Sequence, residues 1–176
     1  MNKLHTVLAF AYNEPGVLNK LFSLIRKKRY NVETITAGHT HVPNLSRMTI
    51  AFSQKDESKI EQIVKQIQNI TEVTTTEDVT NQEVIIRELV LLKVKATTIN
   101  RAHIAATADV MGGRVVNVAP DNMIVEFSDS PAKIENAITV FGDIGLLGVA
   151  RTGATVIHKE TEDMGVDSKG RKKVSF

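Results

Sequence analysis

The same succession of hydrophobic periodicities occurs twice along this chain of 176 residues, and that repetition restricts the fold more than any other feature. Residues 4–11 form an apolar run of strand length that breaks at Asn13-Glu14-Pro15-Gly16. Val17, Leu18, Leu21, Phe22, Leu24 and Ile25 then recur at helical spacing, while Lys20, Lys27 and Lys28 fall largely outside the stripe. Residues 32–41 and 47–53 read as two strands flanking the turn formers Val42-Pro43-Asn44. Ile60, Ile63, Val64, Ile67 and Ile70 mark a second helix, with Glu61, Lys65 and Gln68 on its wet side, and a strand over residues 73–78 completes β-α-β-β-α-β.

After the polar stretch of residues 79–83, which reads as a linker, the order starts again at Val84. Val90, Leu92, Val94 and Ala96 alternate with Leu91, Lys93 and Lys95, the period of a strand with one wetter face. A weaker helix over residues 99–111 rests on Ile104, Ala108 and Met111 and is stopped by Gly112 and Gly113. Residues 114–119 and 123–128 flank the hairpin signal Pro120-Asp121-Asn122. Ser130 as N-cap and Pro131 in the first turn begin a helix with the stripe Ile134, Ala137, Ile138 and Phe141, and one strand over residues 146–155 closes the set. The fold class is therefore α+β, two ferredoxin-like βαββαβ domains in tandem, with a first domain over 1–78, a linker over 79–83, a second domain over 84–158 and a polar basic tail over 159–176. Each sheet has helices on one face only. Pairing between sheets, within or between chains, covers the other face, so a homodimer is expected.

Composition removes whole classes of function. No cysteine is present, which excludes disulfides, thiolate metal sites and a Cys nucleophile. The longest apolar runs fall far short of the roughly 20 residues that span a bilayer, and the amino end lacks a signal-peptide pattern, so no membrane association and a cytoplasmic location are expected. The formal charge is only +2, with Lys169, Arg171, Lys172 and Lys173 clustered in the tail, where a solvated segment is expected rather than a nucleic-acid contact.

Catalytic candidates are few. His39 and His41 share one side of a strand but have no obvious third ligand, and His5, His103 and His158 are isolated. Ser46 and Ser53 lack a nucleophile-elbow pattern, and no phosphate-binding glycine loop appears. Acidic pairs such as Asp56-Glu57 and Glu160-Glu162 sit in turn or tail contexts. The turn after the first strand differs, because its chemistry suits a bound amino acid. Asn13 is placed to cap the helix, Pro15 fits its first turn, and Gly16 admits a close approach. N–H groups of Glu14, Gly16 and Val17 then lack intrahelical acceptors and favour an anion such as a carboxylate. On local pattern alone a plain helix start is the preferred reading.

Three ordered segments change that balance: Asn13-Glu14-Pro15-Gly16-Val17-Leu18, Tyr30-Asn31-Val32-Glu33-Thr34-Ile35-Thr36 and Leu45-Ser46-Arg47-Met48-Thr49-Ile50. Together they resemble the small regulatory subunits of acetohydroxyacid synthase, also called acetolactate synthase, and the resemblance extends through residues 89–96 and 149–153. It implies that the first domain is an ACT domain, an amino-acid-binding βαββαβ module, and that the second helps to build the dimer and the contact with a large catalytic subunit. It implies a chain that is not an enzyme by itself and carries no cofactor. Thiamine diphosphate, magnesium and flavin belong to the large subunit, which the small one activates and places under feedback inhibition in valine, leucine and isoleucine biosynthesis. The implied effector is valine or a related amino acid, bound between two ACT domains by Asn13, Glu14, Pro15, Gly16, Val17 and Leu18 of one chain with Asn31 and Val32 of its partner. The segment Gly38-His39-Thr40-His41 departs from the family pattern of a small residue, proline and threonine. Other readings are an ACT sensor coupled to transcription, an RNA-recognition domain using Phe10, Tyr12 and Phe52, and an enzyme on the same scaffold. The absence of a helix-turn-helix, of an RNP pattern and of a catalytic set counts against them in turn.

Overall fold

A computed structural model describes residues 3–159, which divide into two units, one of residues up to 85 together with 156–159 and the other of residues 86–155. Past Lys159, the expected basic tail lies outside the described residues.

The first unit runs β1 (Lys3–Tyr12), α1 (Val17–Lys28), β2 (Val32–His39), β3 (Leu45–Gln54), α2 (Glu57–Gln68) and β4 (Val73–Asp78), in an antiparallel sheet of order β2-β3-β1-β4. Strand period two sends Val7, Ala9 and Ala11 of β1 and Met48, Ile50 and Phe52 of β3 toward the helices. They meet Val17, Leu21 and Ile25 of α1 and Ile60, Ile63 and Ile67 of α2, each set at helical spacing. The α1 stripe is narrower than the sequence pattern, for Leu18 and Phe22, one turn apart, stay 44% exposed on a flank of the helix. Asp56 caps α2 by accepting from the Ser58 N–H at 3.0 Å, and the Ser58 hydrogen bonds hold its carboxyl below the usual range.

On the opposite face of this sheet Leu8, Phe10, Leu45 and Ala51 are also buried. Strand β2 lies at one edge of the sheet in that order. Val79, placed in the linker by its polar neighbours, is buried, and its N–H donates to the Thr6 carbonyl at 2.9 Å.

The second unit is built on β5 (Val84–Lys95), α3 (Arg101–Val110), β6 (Arg114–Val118), β7 (Asn122–Asp129), α4 (Pro131–Gly145) and β8 (Leu146–Arg151), in a sheet of order β6-β7-β5-β8; β9 (Thr155–His158), most of which is grouped with the first unit, also pairs β5. The single closing strand expected over 146–155 is thus two strands, broken where Gly153 takes φ +81 and Thr152 Oγ1 accepts from the Leu89 N–H. Gly112 stops α3 at φ +79, as expected, but Gly113 has another role. A Cβ there would lie 2.4 Å from the Phe127 ring, so its bare backbone is a packing requirement. Ser130 occupies the N-cap of α4 without a side-chain cap bond; the Asp129 carboxylate instead accepts the Ser130 N–H at 2.7 Å. Within the motif of residues 149–153, Arg151 grips the buried Glu88 through two bonds of 2.8 and 3.1 Å and reaches Glu135 at 3.0 Å. The Glu88 hydrogen bonds, followed by the charges of Glu88 and Glu135, raise the Arg151 pKa against the opposing effect of burial.

Candidate functional site

Strand β1 ends at Tyr12, and four residues turn the chain into α1. The Asn13 N–H donates to the Asn44 carbonyl at 2.7 Å, tying the turn to the hairpin between β2 and β3. Asn13 does not cap α1. The N-cap is Gly16, at φ +89 and ψ −7, with no side-chain bond, and Pro15 precedes the cap instead of entering the first turn. The left-handed backbone at Gly16 is the physical reason, since the chain makes its last bend there and only glycine adopts that conformation cheaply.

This shift moves the unsatisfied donors. Glu14 N–H donates to the Tyr12 carbonyl at 2.9 Å and Val17 N–H to the Glu14 carbonyl at 3.4 Å. The first bond into the helix is Lys20 N–H to the Gly16 carbonyl at 3.0 Å, so the N–H groups of Leu18 and Asn19 have no acceptor among the described residues. No acidic side chain lies in the first turn of α1 to neutralise its positive end.

Leu18, the first of those two donor residues, lines a cleft of about 440 Å³. Asn13, Glu14, Pro15, Gly16, Val17 and Leu18 all line it, so the turn singled out in the sequence is gathered at one place. Facing it are Ala37, Gly38 and His39 at the end of β2, with Ser46 and Met48 of β3 and Ala11 of β1. The register explains the grouping, for His39 and Ala11 both pair with Ser46, and Ala37 pairs with Met48. Their side chains share the helix-facing side of the sheet. None of these six was found from the sequence as a lining residue, because their approach depends on hairpin register and no motif reports it. Ala11, Ala37, Gly38 and Met48 thus form a small and apolar part of one wall, with the polar side chains of His39 and Ser46 among them, and the turn of residues 13–18 forms the other.

Asn31 and Val32 are not brought to this cleft within the chain. They sit at the other end of β2, seven positions before His39 in the case of Val32, or roughly 20 Å away. Asn31 Nδ2 donates to Glu33 Oε1 at 2.7 Å, and Val32 packs on the core.

His39 and Ser46 are cross-strand partners. Among the described residues no group of three His, Asp or Glu is placed to hold a metal ion, and no helix is long and apolar enough to cross a membrane. Phe10 and Phe52 are buried and unavailable to stack on bases. The corresponding turn of the second unit is filled by its own side chains. Asn100 Oδ1 takes the Thr97 N–H at 2.6 Å, and Arg101 donates to the carbonyls of Ala119 and Pro120 at 2.8 and 2.6 Å.

Comparison with known proteins gives two family matches, an "AHAS small subunit-like ACT domain" over residues 2–75 and "small subunit of acetolactate synthase" over residues 87–160. The acetolactate synthase small subunit of Bacillus subtilis is 34% identical over 157 residues, which cover 89% of this chain and 91% of that protein. A probable acetolactate synthase small subunit of Archaeoglobus fulgidus is 33% identical over 149 residues, covering 85% and 92%. The crystal structure of the acetolactate synthase small subunit from Thermotoga maritima superposes with a TM-score of 0.81 at 26% identity, over 91% of this chain and 99% of that one.

Proposed function

The chain belongs to the acetolactate synthase small-subunit family, and from that premise we propose that it senses a branched-chain amino acid, valine first among the candidates, on behalf of a large catalytic subunit. The observation that carries this reading is the cleft at the start of α1, lined by Leu18 together with Ala11, Ala37 and Met48, where the N–H groups of Leu18 and of Asn19 next to it along the helix are left without an acceptor among the described residues. An amino-acid carboxylate accepts from those donors at the positive end of the helix, while an aliphatic side chain lies on the apolar wall.

Burial of a branched side chain contributes about 1.5–3 kcal/mol, and a charge-assisted hydrogen bond about 1.5–3 kcal/mol more. Less the cost of ordering, a dissociation constant from roughly ten micromolar to a millimolar results. That range suits a metabolite pool.

The second copy enters through β2. Its outer edge is unpaired in the sheet, and the exposed Leu18 and Phe22 lie on a flank of the adjoining helix. Antiparallel pairing of two β2 strands about a two-fold axis sets the start of one beside the end of the other. The partner's Asn31 and the partner's Val32 then reach the Ala37–His39 side of the cleft. Asn31 offers both a donor and an acceptor to the effector's ammonium and carboxylate. Effector binding across this seam alters how the two chains sit together, and with it their hold on the catalytic subunit, which carries the thiamine diphosphate, magnesium and flavin. A coupling of about 1–3 kcal/mol is typical for such control.

The test is co-purification with a thiamine-dependent partner, followed by assay of that partner with and without this chain and with each branched-chain amino acid. We expect the chain to raise the partner's rate and at least one amino acid to lower it. An unchanged rate in every combination rejects the regulatory reading.

A further inference from the structure

The far end of α1 carries a concentration of charge that the effector cleft does not use. Arg26, Lys27 and Lys28 form its last turn and Arg29 its C-cap, and all four are exposed. None of them makes an ion pair among the described residues. The chain has 22 Lys and Arg against 20 Asp and Glu, so setting these four aside leaves 18 against 20.

Neighbouring elements alter this little. Tyr30 Oη donates to the Lys59 carbonyl at 2.8 Å, which holds the start of α2 beside the patch. Lys55 and Lys59 there are offset by Asp56, engaged with Ser58, and by Glu57, and Glu33 is engaged with Asn31. The helix dipole accounts for about half a charge at a C-terminus, not for four cations. Arg29 sharpens the point. It takes φ +56 and ψ +38 and donates its N–H to the carbonyls of Ile25 and Arg26, a closing position that ordinarily favours glycine. An arginine kept in that conformation argues for a use of its side chain.

Resting on the regulatory reading above, we propose that Arg26, Lys27, Lys28 and Arg29 form an electrostatic docking surface for an acidic face of the catalytic subunit. Steering by a compact like-charged patch acts mainly on the rate of encounter. A nucleic acid fits less well. The nearest aromatic, Tyr30, is tied by its hydroxyl and set edge-on to Phe52 at 6.0 Å, so no base-stacking platform adjoins the cations. The placement also serves control. Twelve residues of helix span about 18 Å, so α1 has the effector cleft at its first turn and the docking surface at its last. A tilt of α1 on binding effector moves both.

The test uses the full chain and its catalytic subunit, measuring association and dissociation rates at about 50 mM and about 500 mM NaCl. With R26Q, K27Q and K28Q combined, association at the lower salt slows about tenfold or more, dissociation stays within about threefold, and the difference vanishes at the higher salt. Arg29→Gly slows association without lowering Tm, since it removes a cation and relieves the backbone together; a merely structural role predicts no change in association. Unaltered effector binding by the triple variant shows that it is folded. Wild-type association rates in both variants overturn the docking surface while leaving the regulatory reading intact, whereas failure of the wild-type chain to associate at all rejects both. Patch-dependent binding of a single-stranded RNA, with subunit association unaffected, also overturns it.

Discussion

Replacing Gly16 by alanine separates what the turn does for the fold from what it does for a ligand. A Cβ at this position meets nothing within 4 Å, so the structural cost is that of the backbone alone. Holding a non-glycine residue at φ +89 costs about 1–2 kcal/mol, which lowers Tm by about 4–8 °C per kcal/mol in a unit of this size. Binding suffers separately, because Gly16 lines the cleft beside Leu18, whose N–H is without an acceptor among the described residues. A methyl group there displaces the carboxylate and removes one charge-assisted bond, about 1.5–3 kcal/mol, or about 10- to 150-fold in dissociation constant. Gly16→Asn is the control, for asparagine tolerates left-handed angles better while still carrying a Cβ. It recovers most of the lost Tm and none of the lost affinity. Thermal unfolding and calorimetric titration with valine read the two effects. If Gly16→Ala lowers Tm and leaves affinity unchanged, the carboxylate does not sit at this helix start and the reasoning fails.

Other consequences are independent of the effector. Gly113→Ala drives a methyl into the Phe127 ring, 2.4 Å from its nearest atom, and should destabilise the second unit by about 2–3 kcal/mol in urea unfolding. Arg151→Met strands Glu88, whose side chain is 3% exposed. With Arg151 itself 35% exposed, the loss should be about 2–3 kcal/mol, below that of a fully buried pair, and Glu88→Gln in the same chain should restore part of it. Lys20 bonds to Glu72 and holds its carboxyl below the ordinary 4.5, as Lys133 and the Ser130 N–H hold Asp129 below 3.8. Lowered folded-state pKa values add stability that is complete above those unfolded values and is lost as pH falls through the lower folded ones. Urea midpoints should therefore decline with acidification from about pH 4.5 downward, and Lys20→Met should flatten the Glu72 part of that decline.

Both βαββαβ orders were legible because the buried positions obey simple periods: Val90, Leu92 and Val94 alternate, and Ile60, Ile63 and Ile67 step by a helical turn. Boundaries set by single residues were less so. The cap of α1 depends on the left-handed angle at Gly16, which composition permits but does not demand, and the expected Asn13 cap was misplaced for that reason. Leu18 and Phe22 match the apolar stripe in type yet stay exposed, since helical period alone does not tell where a stripe ends. The break between β8 and β9 hangs on Gly153 and Thr152, inside what reads as one apolar run. Half of the cleft was legible as a local motif in residues 13–18. Ala37, His39, Ser46 and Met48 complete it only through the register of three strands.

The central claim is that the cleft senses an amino acid jointly with a second chain, and calorimetric titration tests it most directly. Valine, leucine and isoleucine are titrated into the wild-type chain, into Asn31→Ala, and into a chain locked as a monomer by charges placed along β2. The account predicts saturable heat with at least one of them, at a dissociation constant from roughly ten micromolar to a millimolar, weakened in Asn31→Ala and absent in the monomer. No heat across the millimolar range, or undiminished binding by the monomer, contradicts it.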